Sequence, residues 1–157
     1  MNQINNFYTS SNQLITLSQD VSTVADGVTM VPLDDLSVTI KAGQTAKIEG
    51  LLIYKTGNNE GVKIAINATE ELAYNFVKFN DSSDVQSFSL AGVFGIPHPA
   101  TWADKSNDGK KNKAVRFVAT VKGGAENSTV QLSFSQWQVG NVATTIKAGS
   151  CLLLIEG

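Results

Sequence analysis

Chemistry in this chain would have to start from one histidine and one cysteine, because the sequence contains one of each. Nucleophilic catalysis needs a base beside Ser or Cys and a third group to orient that base. His98 would be the base, yet it sits between Pro97 and Pro99 with no nucleophile signature nearby. It reads as a rigid loop residue at a contact surface. Cys151 has apolar neighbours, Leu152, Leu153 and Leu154, and reads as a buried, inert thiol. Zinc takes several Cys or His ligands, so no zinc site is expected. Asp104-Lys105-Ser106-Asn107-Asp108-Gly109 opens like a calcium loop, but Val115 stands where a bidentate Glu is required, and Lys110, Lys111 and Lys113 crowd it. The adjacent pairs Asp34-Asp35 and Glu70-Glu71 would point to opposite faces of a strand, unsuited to paired acid/base work. No catalytic residue, metal or cofactor is expected.

Binding is the other chemistry available. Trp102 and Trp137 are the residue type that stacks on sugar rings, although tryptophans more often anchor cores and interfaces. Lys105, Lys110, Lys111, Lys113 and Arg116 form a basic cluster without the interleaved aromatics of a nucleic-acid platform. That cluster reads as a solvated face, or as one that docks on an acidic surface. Overall the chain has 17% charged residues and a net charge of −2, so no field attracts nucleic acid or an anionic membrane. The start, Met1 to Phe7, has neither a basic region nor an apolar one, and no apolar run approaches the roughly 20 residues that span a bilayer. A soluble protein made in a cytoplasm is expected.

Strands must position these residues. The 157 residues suffice for one domain burying roughly 70% of its unfolded surface. Residues 1–25 are rich in Asn, Gln, Ser and Thr and read as an arm or a lead-in strand; residues 26–157 read as the domain. Leu36, Val38 and Ile40 alternate with polar residues, as do Ala46 and Ile48, Val62 to Ala68, Val115 to Val121, and Val130 to Phe134. Tyr74 to Phe79 and Val85 to Leu90 read as shorter strands, with Thr69 to Phe76 as the one helix candidate. Trp137 and Val139 move the apolar content to the second face, which predicts a bulge or twist there. Gly92 to Asn112 reads as a long irregular loop, often a functional element.

One pentapeptide occurs twice, Thr39-Ile40-Lys41-Ala42-Gly43 and Thr145-Ile146-Lys147-Ala148-Gly149, each time as a strand ending in a Gly turn before a second strand. The strands that follow are apolar on both faces, at Leu51-Leu52-Ile53-Tyr54 and at Cys151 to Ile155. One face suits a sandwich core; the other suits a neighbouring subunit. Leu51, Ile53, Tyr54, Cys151, Leu153 and Ile155 are therefore the expected subunit interface, and His98, Trp102, Lys110 and Lys111 a possible contact loop. About eight antiparallel strands at this spacing predict an all-β, two-sheet jelly-roll sandwich.

The stretch from Asp20 to Ala68, with its Leu-Ser-x-Thr-Ile-x-Ala-Gly strand pair, and the ending from Ser128 to Gly157 resemble a jelly-roll module of bacteriophage virion proteins. The likeness covers about residues 18–79 and 128–157. That module is similar to the tumour-necrosis-factor/C1q type of jelly roll, whose subunits form threefold trimers. The resemblance implies a non-enzymatic virion component: a homotrimeric capsid decoration or head-fibre protein, anchored to other virion proteins through its N-terminal arm. A receptor- or carbohydrate-binding module of a tail fibre or baseplate is the alternative.

Overall fold

A computed structural model describes residues 12–24, 29–57, 61–69, 72–80, 92–94, 100–104 and 112–157. Their strands are β1 (Asn12–Thr16), β2 (Val21–Ser22), β3 (Val31–Ile40), β4 (Thr45–Lys55), β5 (Val62–Ala68) and β6 (Leu72–Asn80). They continue as β7 (Gly92–Phe94), β8 (Ala100–Asp104), β9 (Lys113–Gly123), β10 (Ser128–Gln136), β11 (Thr145–Ile146) and β12 (Cys151–Glu156). The larger sheet runs β1-β12-β4-β9-β6-β7, with β11 bridging β4 and β2; the smaller runs β3-β10-β5-β8. Every pairing is antiparallel.

The strand order identifies the architecture. Count β1–β2 and β11–β12 as one interrupted strand each and set the β6–β7 hairpin aside. The remaining eight strands lie in the order 1-8-3-6 in one sheet and 2-7-4-5 in the other. That is the double Greek-key wiring of a jelly roll. The β6–β7 hairpin enters between β5 and β8 and widens the larger sheet beyond β9.

The expected alternation builds the core between the sheets. Leu36, Val38 and Ile40 of β3, Val115, Phe117, Ala119 and Val121 of β9, and Val130, Leu132 and Phe134 of β10 are all buried in one cluster. Gly50 breaks the apolar series of β4 for a steric reason: an added Cβ would lie 2.0 Å from Phe117 Cε1, so the ring occupies the space a side chain would fill.

Several expectations need correction. Gly92 to Asn112 is not one irregular loop, since it contains β7 and β8, and β8 is a full member of the smaller sheet, opposite β5. Its prolines and glycines mask a strand defined by its pairing. The helix candidate at Thr69 to Phe76 gives way to β6 from Leu72 onward. The bulge lies not at Trp137 but between Gln131 and Ser133, where β3 loops out. Leu33 and Leu36 both turn inward there, leaving Asp34 and Asp35 both exposed. Gln131 Nε2 donates to Asp34 Oδ1 at 3.1 Å, and Ser18 Oγ donates to Asp35 Oδ2 at 2.7 Å. β10 itself stops at Gln136, whose amide group donates to the Val142 carbonyl and closes the following loop. Val85 to Leu90 lies outside the described residues.

Candidate assembly face

The outward side of the larger sheet is built by the odd-numbered residues of β4 and β12 and the even-numbered residues of β1 and β9. Three cross-strand rows define it. Asn12, Ile155, Lys47 and Thr120 form the first; Leu14, Leu153, Glu49 and Val118 the second; Thr16, Cys151, Leu51 and Arg116 the third. Ile53 lies beyond the third row, opposite Ala114. The closing strand β12 is paired on both sides, with β1 and with β4.

Five of the six expected interface residues share this face. Leu51 is 38% exposed, and Ile53, Cys151, Leu153 and Ile155 are half-buried. Tyr54 does not belong with them. It alternates to the inner side and is 2% exposed within the core, so no neighbouring subunit can reach its ring. Cys151 needs the opposite correction: it is half-buried on the outer face rather than sealed inside. The period of two explains both, because Leu152 and Leu154 take the core positions of β12.

Leu14 belongs to the patch and was not expected there. It is 65% exposed and directly opposite Leu153. Its signal in the sequence is a lone Leu-Ile pair among polar residues, which shows its facing only once β1 is paired.

Charge crosses the patch in one place. Glu49 accepts from Lys47 Nζ at 2.6 Å and from Arg116 Nη2 at 3.1 Å. The Lys47 ammonium, then the Arg116 guanidinium, hold the Glu49 carboxyl below the usual range, against a smaller opposing effect of burial. Pairs this exposed stabilise the fold little. Their consequence is to keep a carboxylate compensated between the apolar residues Leu153 and Val118.

The predicted contact loop is only partly placed. Trp102 lies on β8, opposite Ile64, and so on a strand rather than a loop. His98, Lys110 and Lys111 lie outside the described residues. Among the described residues, no three His, Cys, Asp or Glu side chains cluster as a metal site would require.

No family model matches the sequence, and no curated protein matches it. Solved structures give low-scoring likenesses. The VP2 subviral particle of infectious bursal disease virus aligns with 95% of this chain at 13% identity and TM-score 0.26. The chain spans 40% of that protein's length. The T13 particle of the same virus gives 14% identity and TM-score 0.25, over 94% of this chain and 40% of that one. A structure titled "CBM4 structure and function" gives 9% identity and TM-score 0.27, over 85% of this chain and 94% of that one. The jelly-roll assignment rests on the strand order itself.

Proposed function

We propose that this chain is a non-enzymatic structural subunit of a bacteriophage particle, a capsid decoration or head-fibre protein. In this reading it assembles as a homotrimer through the outer face of the larger sheet, as tumour-necrosis-factor/C1q-like jelly rolls do. The N-terminal residues then tether it to other virion proteins. The observation that carries the reading is the half-exposed apolar patch of Leu14, Leu51, Ile53, Cys151, Leu153 and Ile155. Covering one Leu or Ile completely is worth roughly 1.5–3 kcal/mol, so several shared across a threefold contact favour association. The phage assignment is supported by the sequence resemblance of residues 18–79 and 128–157.

Sedimentation tests the assembly. The protein at micromolar concentration should have three times the chain's 16.7 kDa. Leu153→Asp should reduce it to a folded monomer, whereas Leu152→Asp, aimed at the core, should prevent folding altogether. A stable monomer of the unaltered protein, or unchanged mass in Leu153→Asp, overturns the proposal. Tight binding of a glycan by that monomer would favour a receptor-binding module instead.

A further inference from the structure

The larger sheet ends at β1, and among the described residues β1 pairs with β12 alone. One bond sets the phase of that edge. Leu17 N–H donates to the Ser150 carbonyl at 2.8 Å, one step beyond the Thr16–Cys151 pair. Hydrogen-bonded and open pairs alternate along an antiparallel ladder. Gln13 and Ile15 therefore bond inward to β12. The N–H and C=O groups of Asn12, Leu14 and Thr16 face the open edge.

Open edges are normally guarded by charge, proline or a bulge. The neighbouring edge strand, β3, has all three: Pro32, Asp34 with Asp35, and the bulge opposite Leu132. β1 reads Asn-Gln-Leu-Ile-Thr and has none of them.

We infer that β1 pairs with β1 of a second copy about a local twofold axis, joining two larger sheets into one antiparallel sheet. The strand is self-complementary in that register. With Leu14 opposite its own copy, Asn12 meets Thr16 and Gln13 meets Ile15. The outward groups of Asn12, Leu14 and Thr16 then form about six backbone hydrogen bonds. Side chains agree with the backbone, because Leu14 extends the Leu153 row across the junction into the same row of the second copy. No charge lies on the strand to oppose a copy of itself. A five-residue pairing is far smaller than the roughly 1,200–2,000 Å² of a stable interface, so the contact is reversible and depends on concentration. It uses the backbone edge of β1, whereas the threefold contact uses outward side chains of the sheet, Leu14 among them: it links trimers where trimers exist, and gives a dimer where they do not.

Sedimentation of the full chain from about 1 µM to several hundred µM tests this, the expected result being at least a doubling of the low-concentration mass. Thr16→Pro removes an N–H that β12 does not use and leaves the apolar patch intact, so it should abolish the doubling while keeping the low-concentration mass and melting temperature. Should that variant fail to fold, amide exchange in the unaltered protein decides the matter. The Leu14 amide should gain protection as concentration rises, whereas Gln13 and Ile15 amides stay protected throughout. The inference fails if no doubling occurs, or if Thr16→Pro folds and still doubles. It fails equally if the Leu14 amide is protected at the lowest concentration, which would mean the chain's own N-terminal residues cover the edge. Loss of the threefold contact in Leu153→Asp changes the base mass, not the doubling, so the two proposals fail separately.

Discussion

Thr-Ile-Lys-Ala-Gly at 39–43 carries the chain from the smaller sheet to the larger one, between β3 and β4. The same five residues at 145–149 stay within one sheet, because β11 and β12 both pair with β4. Locally the two copies are alike. Gln44 N–H returns to the Lys41 carbonyl at 3.1 Å, and Ser150 N–H to the Lys147 carbonyl at 3.2 Å. Gly43 and Gly149 take φ of 69° and 89°, as the third position of a type II turn requires. A side-chain oxygen accepts from each Ala N–H: Asn127 Oδ1 from Ala42 at 2.9 Å, Asp20 Oδ1 from Ala148 at 2.8 Å. Even the Gly N–H groups match, donating to the Gly124 and Leu17 carbonyls. The copies differ in what holds the turn in place. Backbone packs against the first; a hydroxyl and a carboxylate secure the second. A short sequence thus sets the turn, while its surroundings decide whether it becomes a corner between sheets or an interruption inside one.

The sharpest way to break the comparison is Gly123→Ala. Its Cβ would stand 2.3 Å from the Lys41 carbonyl oxygen, and backbone on both sides leaves nothing flexible to yield. Overpacking of this kind costs roughly 1–3 kcal/mol or more. Denaturant unfolding should show that loss, with disturbed amide signals at residues 41–44 and quiet ones at 147–150. Unfolding within error of the unaltered protein would mean that the first turn is not held by backbone fit.

A smaller effect is expected at the residue after each Gly. Opposite Leu52 and Ile53 of β4, the β11–β12 path has four residues, 147–150, so the regular ladder is interrupted. Lys147 N–H supplies a donor to the Ile53 carbonyl at 2.8 Å, and Ser150 Oγ accepts the Ile53 N–H at 2.9 Å. The hydroxyl donates in turn to the Lys147 carbonyl at 2.8 Å. Ser150→Ala therefore strands a backbone donor in a part-buried place, at a cost of about 1 kcal/mol. Gln44→Ala, at the matching position of the first copy, should change stability by less than about 0.5 kcal/mol. Equal costs in the two variants would contradict the assigned role of Ser150.

The turn and the strands beside it were legible in the sequence because they are local. Period-two patterns located the core residues of β3, β9 and β10, and the oily ending located a strand enclosed by two others. What depends on pairing was not legible. β1 is five mostly polar residues that become a strand by lying along β12, so the Leu14-Ile15 pair did not show which of the two joins the apolar patch. β8 hides behind Pro97 and Pro99, and its membership of the smaller sheet comes from β5. Tyr54 shows the limit of periodicity: where both faces of a strand are apolar, alternation separates them without saying which is inside. The bulge at Asp34-Asp35 shifts the alternation of β3, since its three extra residues opposite Leu132 belong to the partner's register and not to the local pattern.

The finest test of the two turns is their response to acid. Asp20 is held below its ordinary value near 3.8, first by the hydrogen bond from Lys147 and then by the Ala148 N–H. A carboxylate whose folded value is depressed contributes its full stabilisation above the ordinary value and loses it as pH falls through the lowered one. Asn127, which serves Ala42 in the same position, has no proton to gain. Asp35 and Glu49 are depressed as well, so overall stability falls with acid for several reasons and cannot isolate this one. Amide chemical shifts can. The Ala148 N–H signal should move with pH below about 4, with its midpoint under the ordinary aspartate value, while Ala42 stays nearly flat. Asp20→Asn should flatten Ala148, and Asn127→Asp should give Ala42 an acid titration of its own. If Ala148 is flat in the unaltered protein, or Ala42 titrates alongside it, the two turns are not capped in the different ways their geometry indicates.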